Sequence, residues 1–241
     1  MKILRLFFKR ETAAPMLALT VASAVAVALV VARVLWTGQL KYAFLVWNLF
    51  LAWLPLVFAL LASEEYHKKS RSHLRFLATA GAWLIFFPNA PYILTDLIHL
   101  TSGVLHPFWV DLSLVLLCAI TGLVLGFVSL YLMQSVVARM FSAFVSWIFI
   151  AVVAALSGLG IYIGRFLRFN SWDILLRPMK LYDRLDSWAA NSQAHPVTIA
   201  FPILFAIFLF LTYLMLYALT HLSPSKLLLE NETENESDAT A

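Results

Sequence analysis

MFSAFVSWIFIAVVAALSGLGIYIG, residues 140–164, carries no charged side chain and no proline. At 1.5 Å rise per residue, a helix of about 20 residues crosses a hydrocarbon core of ~30 Å, and this run is long enough. Lipid offers no partner to an open backbone N–H, so an isolated span must close its hydrogen bonds internally, as a helix does. Strands would need shorter segments of alternating polarity, and none are seen. Comparable runs occupy residues 14–35, 42–62, 74–94, 107–133 and 197–221. The expected fold class is an all-α integral membrane protein, with about six transmembrane helices plus one interfacial amphipathic helix.

Composition agrees. Hydrophobic residues make up 62% of the chain and charged residues 12%, against about 25% charged in a soluble domain. At 241 residues there is room for one membrane domain and no second globular unit. The single cysteine, Cys118, lies inside an apolar run, which excludes an intrachain disulfide and a cysteine-based zinc site. No nucleic-acid partner is expected, because no basic stripe with interleaved aromatics appears in a soluble segment. The opening MKILRLFFKRE resembles the n-region of a signal peptide, but the apolar run after it outlasts a signal h-region of about 7–15 residues. Residues 1–13 therefore read as a basic cytoplasmic N-terminus before an uncleaved first helix.

Basic residues give a direction. With six spans, one side holds Lys2, Arg5, Lys9, Arg10, Lys68, Lys69, Arg71, Arg75, Arg139 and Lys226, ten in all; the other holds Arg33, Lys41, Arg165, Arg168, Arg177, Lys180 and Arg184, seven. The excess predicts both termini in the cytoplasm. Residues 222–241, with five acids, read as a disordered polar tail. In the long outer loop 165–196, Leu181, Tyr182, Leu185, Trp188 and Ala189 recur at helical spacing opposite a polar face. That describes an amphipathic helix lying in the headgroup layer or packed over the mouth of the bundle.

The third span is interrupted by FPNAPYILTDLIHL, residues 87–100. Pro88 and Pro91 each remove a backbone donor and clash with the carbonyl four residues earlier, so the helix should kink or break. Asn89 is placed to satisfy a freed group or to face a ligand. If the chain stays helical beyond the break, Tyr92, Asp96 and His99 share one face. Asp96 and His99 are the candidate catalytic pair, a carboxylate coupled to an imidazole; a hydrogen-bonded pair holding the loop is the simpler alternative. As metal ligands they are a two-residue fragment that His106 and Asp111 would have to complete, and no metal or other cofactor is assigned.

The fifth span ends in GLGIYIGRFLRFNSWD, residues 158–173. Arg165 and Arg168 are three apart and adjacent if the helix continues. Guanidinium groups suit carboxylate or phosphate, so the candidate partners are Asp96, Asp111 and Asp173, or a lipid phosphate. Topology puts all these groups at one end of the bundle, and the expected binding set is Asn89, Tyr92, Asp111, Arg165, Arg168, Asn170 and Asp173. Gly160 and Gly164 form one GxxxG, and Gly122 with Gly126 another; simple depth counting does not bring the two motifs together. Small-residue faces leave a homo-oligomer open. Asn48, inside the second span, reads as an interhelical hydrogen-bonding group.

The two blocks 87–100 and 158–173 resemble the signature segments of a multi-spanning bacterial family, the domain of unknown function numbered 1361. The resemblance runs from about the second apolar segment to the last. It implies a bacterial inner-membrane protein of this size and carries over no activity, cofactor or catalytic residue. Three functions stay open: an outer-face site that binds or processes an anionic lipid or lipid-linked group, a small-solute or ion transporter, and a membrane scaffold. No Gly-x-Ser-x-Gly elbow, phosphate-binding loop, His-Glu-x-x-His or dinucleotide fingerprint is present.

Overall fold

A computed structural model describes residues 13–68, 72–102, 108–169 and 196–221, together with 176, 179, 180, 182 and 183. The basic N-terminus, the acidic tail, most of the amphipathic segment, His106, Asn170 and Asp173 lie outside the described residues. The chain forms α1 (Ala13–Thr37), α2 (Phe44–His67), α3 (His73–Phe86), α4 (Asn89–Tyr92), a 3-10 helix (Ile93–Ser102), α5 (Phe108–Met140), α6 (Ala143–Phe166) and α7 (Pro196–Thr220). Among the described residues there is no strand. Among the described residues six helices are long and apolar enough to cross a membrane, counting His73–Leu100 as one.

The hub is α5. It packs against α1, α2, α4, the 3-10 helix and α6, while α7 packs along α6 at the periphery. One apolar core joins α1, α2, the 3-10 helix and α5 through residues such as Leu45, Leu56, Ile93 and Val115. A second joins α3, α5, α6 and α7 through Trp83, Phe127, Ile150 and Leu209. Hydrogen bonds pin neighbours: the Trp53 indole donates to Ser23 Oγ at 3.1 Å, and the Trp83 indole to Ser129 Oγ at 3.2 Å. Lipid tails are as apolar as leucine, so close packing and such bonds drive association here.

One boundary shifts from expectation. The helix starting at Phe108 runs on to Met140, past the expected end at 133. Gln134, just past that expected end, is buried and accepts a hydrogen bond from the Tyr213 hydroxyl. After this helix Ser142 caps α6, its Oγ accepting from Val145 N at 3.2 Å. The third span breaks where its prolines predict, the α-helix ending at Phe86. Proline at 88 and 91 removes the donors that Leu84 and Phe87 carbonyls would use, and Phe87 O instead receives Ala90 N at 3.1 Å. The chain then tightens into a ten-residue 3-10 helix, well beyond the usual three or four residues.

The glycines explain how this break is accommodated. A Cβ on Gly122 would lie 2.8 Å from Ala90 O, and one on Gly126 3.0 Å from Ala90 Cβ. From the other side, a Cβ on Gly160 would lie 3.0 Å from Pro88 Cγ and one on Gly164 3.2 Å from Tyr92 Cε2. Both GxxxG motifs therefore grip the same short segment. Counting depth along straight helices kept them apart; the broken span inserts between α5 and α6 and meets each in turn.

Candidate functional site

Asp96 is the centre of the polar cluster, with a relative exposure of 1%. On the 3-10 helix it faces α2 and α6. Asn48 Nδ2, about 6 Å along α2 from its start, donates to Asp96 Oδ2 at 2.8 Å. Arg165 Nη1, near the end of α6, donates to Asp96 Oδ1 at 3.1 Å. Both carboxylate oxygens thus receive hydrogens from groups that can only donate, the arrangement of an ionised carboxylate.

Arg165 is equally committed. Its Nη2 donates to Thr95 O at 2.8 Å and lies 3.3 Å from His99 Nε2. Its Nη1 also reaches the Tyr92 hydroxyl at 3.5 Å, and the guanidinium stands 5.8 Å from the Tyr92 ring centroid. Guanidinium can only donate, so in this contact His99 Nε2 is the acceptor. His99 also meets Phe44 edge-on, with ring centroids 5.0 Å apart. The expected Asp96–His99 hydrogen bond is replaced: Nε2 and Oδ1 are 4.0 Å apart, and Arg165 bridges them. The 3-10 geometry stacks Asp96 and His99, three residues apart, along one edge.

Within the cluster the charges of Arg165 and Asp96 cancel each other. Pulling Arg165 away from buried Asp96 would cost about 3–5 kcal/mol, while a new charge-assisted hydrogen bond returns about 1.5–3 kcal/mol. The pair stays closed.

Beside it opens a cavity of about 540 Å³, between α2 and α6 with the broken span behind it. That volume falls within the range of small-molecule sites. Asn48, Asn89, Tyr92, Asp96, His99 and Arg165 supply its polar lining. The remaining walls are apolar, and three of them, Trp47, Leu84 and Leu156, are 55%, 37% and 45% exposed. All three lie within spans, so the mouth turns sideways toward the region lipid would fill.

Two expected members stand elsewhere. Asp111 does not line the cavity. It is held by Arg33, with Nε to Oδ1 at 2.6 Å and Nη2 to Oδ2 at 3.2 Å, and by the Tyr42 hydroxyl at 3.0 Å. Burial, reinforced by this bond to Asp111, pushes the Tyr42 phenol up to about 12, so it remains a donor. The reason for the difference is direction: Asp111 opens α5 on the face toward α1, whereas the cavity lies between α2 and α6. Arg168 is exposed and does not neighbour Arg165 along a helix, because α6 ends at Phe166 and Arg168 adopts φ 57°. No metal-type cluster of three His, Cys, Asp or Glu side chains is assembled among the described residues. The sequence implies an interhelical hydrogen bond for Asn48, which it makes, but does not identify its partner Asp96, and Arg33 counts there only as a charge for orientation. Their signal was polarity inside an apolar run, which marks a partner without naming it.

Comparison with known proteins adds a family. A model described as protein of unknown function, DUF1361, matches residues 47–222. The chain belongs to this family. The matched stretch of the DUF1361 chain contains the broken span, both GxxxG motifs and every polar residue around the cavity. No curated protein matches, and no solved structure does.

Proposed function

We propose that this multi-pass membrane protein binds a lipid-like amphiphile in the cleft between α2 and α6, with its polar end at the Asp96–Arg165–His99 cluster. The observation that carries this reading is the sideways mouth: Trp47, Leu84 and Leu156 are exposed within spans and lead to a buried polar end. A water-soluble ligand gains nothing from an apolar lateral entrance. An amphiphile leaves its chains in the bilayer and brings only its headgroup and the nearest methylenes into the cavity. Asp96 is the buried anchor, Arg165 its bridge, and His99, with 42% of its side chain exposed, is the member a headgroup reaches.

The test uses protein extracted directly into native-lipid nanodiscs, with retained lipids identified by mass spectrometry. Leu156→Trp on α6 and Leu84→Trp on α3 add bulk at two exposed lining positions and leave the cluster untouched. A lipid enriched on the wild type and lost from both plugged variants is the expected result. Identical lipid profiles on all three proteins would remove the proposal. The broken third span favours a second reading, passage of a small solute. In that case the plugs would abolish solute flux in proteoliposomes while the lipid profile stayed the same.

A further inference from the structure

Resting on that reading, we infer that the amphiphile's headgroup is uncharged and hydroxyl-bearing rather than anionic. The charge count points there first. The Arg165–Asp96 pair cancels, so Arg165 presents no unpaired positive charge to a phosphate. The donors follow the same pattern. Arg165 directs both Nη nitrogens at protein acceptors: Asp96, the Tyr92 hydroxyl, Thr95 O and His99. A phosphate held by the Nη fork would have to displace Asp96, which would then be left with Asn48 alone in a buried position.

What remains open is neutral. The Tyr92 hydroxyl accepts from Arg165 and keeps its own hydrogen to donate. Asn48 gives one amide hydrogen to Asp96 Oδ2, which leaves its carbonyl oxygen and its second amide hydrogen without a partner among the described residues. Both side chains line the cavity. Together they offer two donors and an acceptor, the complement of hydroxyl and ester groups. A site of this type rejects a molecule that cannot complete its hydrogen bonds, and it disfavours a charge brought into a low-dielectric cleft without a counter-ion.

Two photoreactive probes with identical acyl chains decide the matter: a diacylglycerol, and the phosphatidic acid that differs from it by one phosphate. Each is incorporated into phosphatidylcholine nanodiscs holding the full chain, irradiated, and its attachment mapped by peptide mass spectrometry. The expected result is attachment to peptides of α2 and α6, several-fold greater for the diacylglycerol and lost in Leu156→Trp. Tyr92→Phe keeps the ring beside Arg165, removes only the hydroxyl, and should lower diacylglycerol capture several-fold. Mouth-dependent capture of phosphatidic acid equal to or above that of diacylglycerol would overturn this inference and leave the amphiphile site standing. Capture of neither probe in a mouth-dependent way would overturn both.

Discussion

Among the described residues two arginine–aspartate pairs lie toward the same end of this bundle, and they are built differently. Arg33–Asp111 is a two-point clasp, completed by Tyr42, that ties α1 to α5. Arg165–Asp96 is a one-point pair whose remaining bonds go to Thr95 O, His99, Tyr92 and Asn48 across α2, the broken span and α6. Only the second pair borders the cavity. The difference teaches that a buried ion pair is not in itself a site. The clasp uses its hydrogen bonds on its own closure, whereas the cleft pair leaves neutral donors and acceptors along the cavity wall.

Breaking each pair from one side should produce the largest effects. Asp111→Ala strands Arg33 and is expected to cost about 3–5 kcal/mol, read as unfolding in mixed detergent. Asp96→Ala should cost less, because water in the cavity reaches the stranded Arg165. Equal or reversed losses would contradict the contrast between a closed clasp and an open cleft.

Apolar replacement sharpens the same contrast. Arg33→Met, Tyr42→Phe and Asp111→Leu together should fold with stability near the wild type, since buried ion pairs are often matched by packed apolar groups. That protein should keep wild-type lipid capture. The corresponding Asp96→Leu with Arg165→Met should fold and lose capture, and retained capture would show that the cluster does not read the headgroup.

Smaller effects come from the glycines around the break. Gly122→Ala brings a methyl against the Ala90 carbonyl and should destabilise by about 1–3 kcal/mol through overpacking. Gly81, in α3, has nothing within 4 Å of a Cβ, so Gly81→Ala should be neutral or stabilising by up to about 1 kcal/mol. If both substitutions behave alike, the close approach of α5 to the broken span is not what Gly122 provides.

Much of this architecture was legible in the chain. The spans follow from unbroken apolar length, the break from Pro88 and Pro91, and the common end of Asp96 and Arg165 from counting crossings. The pairing of Arg165 with Asp96 was one of several candidates, because Asp111 and Asp173 had equal claim by charge and side. Asn48 entered the cluster unforeseen, since an amide within an apolar run does not tell which neighbour it faces. The pairing of Arg165 with Arg168 failed because a helix end depends on backbone dihedrals that spacing alone does not reveal.

By itself, then, the sequence determined that this is a bundle of six membrane-length helices with one broken span and polar groups gathered at one end. Those properties depend on the length and order of residue types along the chain, against a solvent that leaves no backbone group unpaired. Tertiary structure alone decided which aspartate each arginine meets, that two glycine motifs grip one break, and that a cavity opens sideways between α2 and α6. Those depend on how each helix is rotated about its axis. In a bundle with apolar residues on every side, packing sets that rotation and local sequence does not.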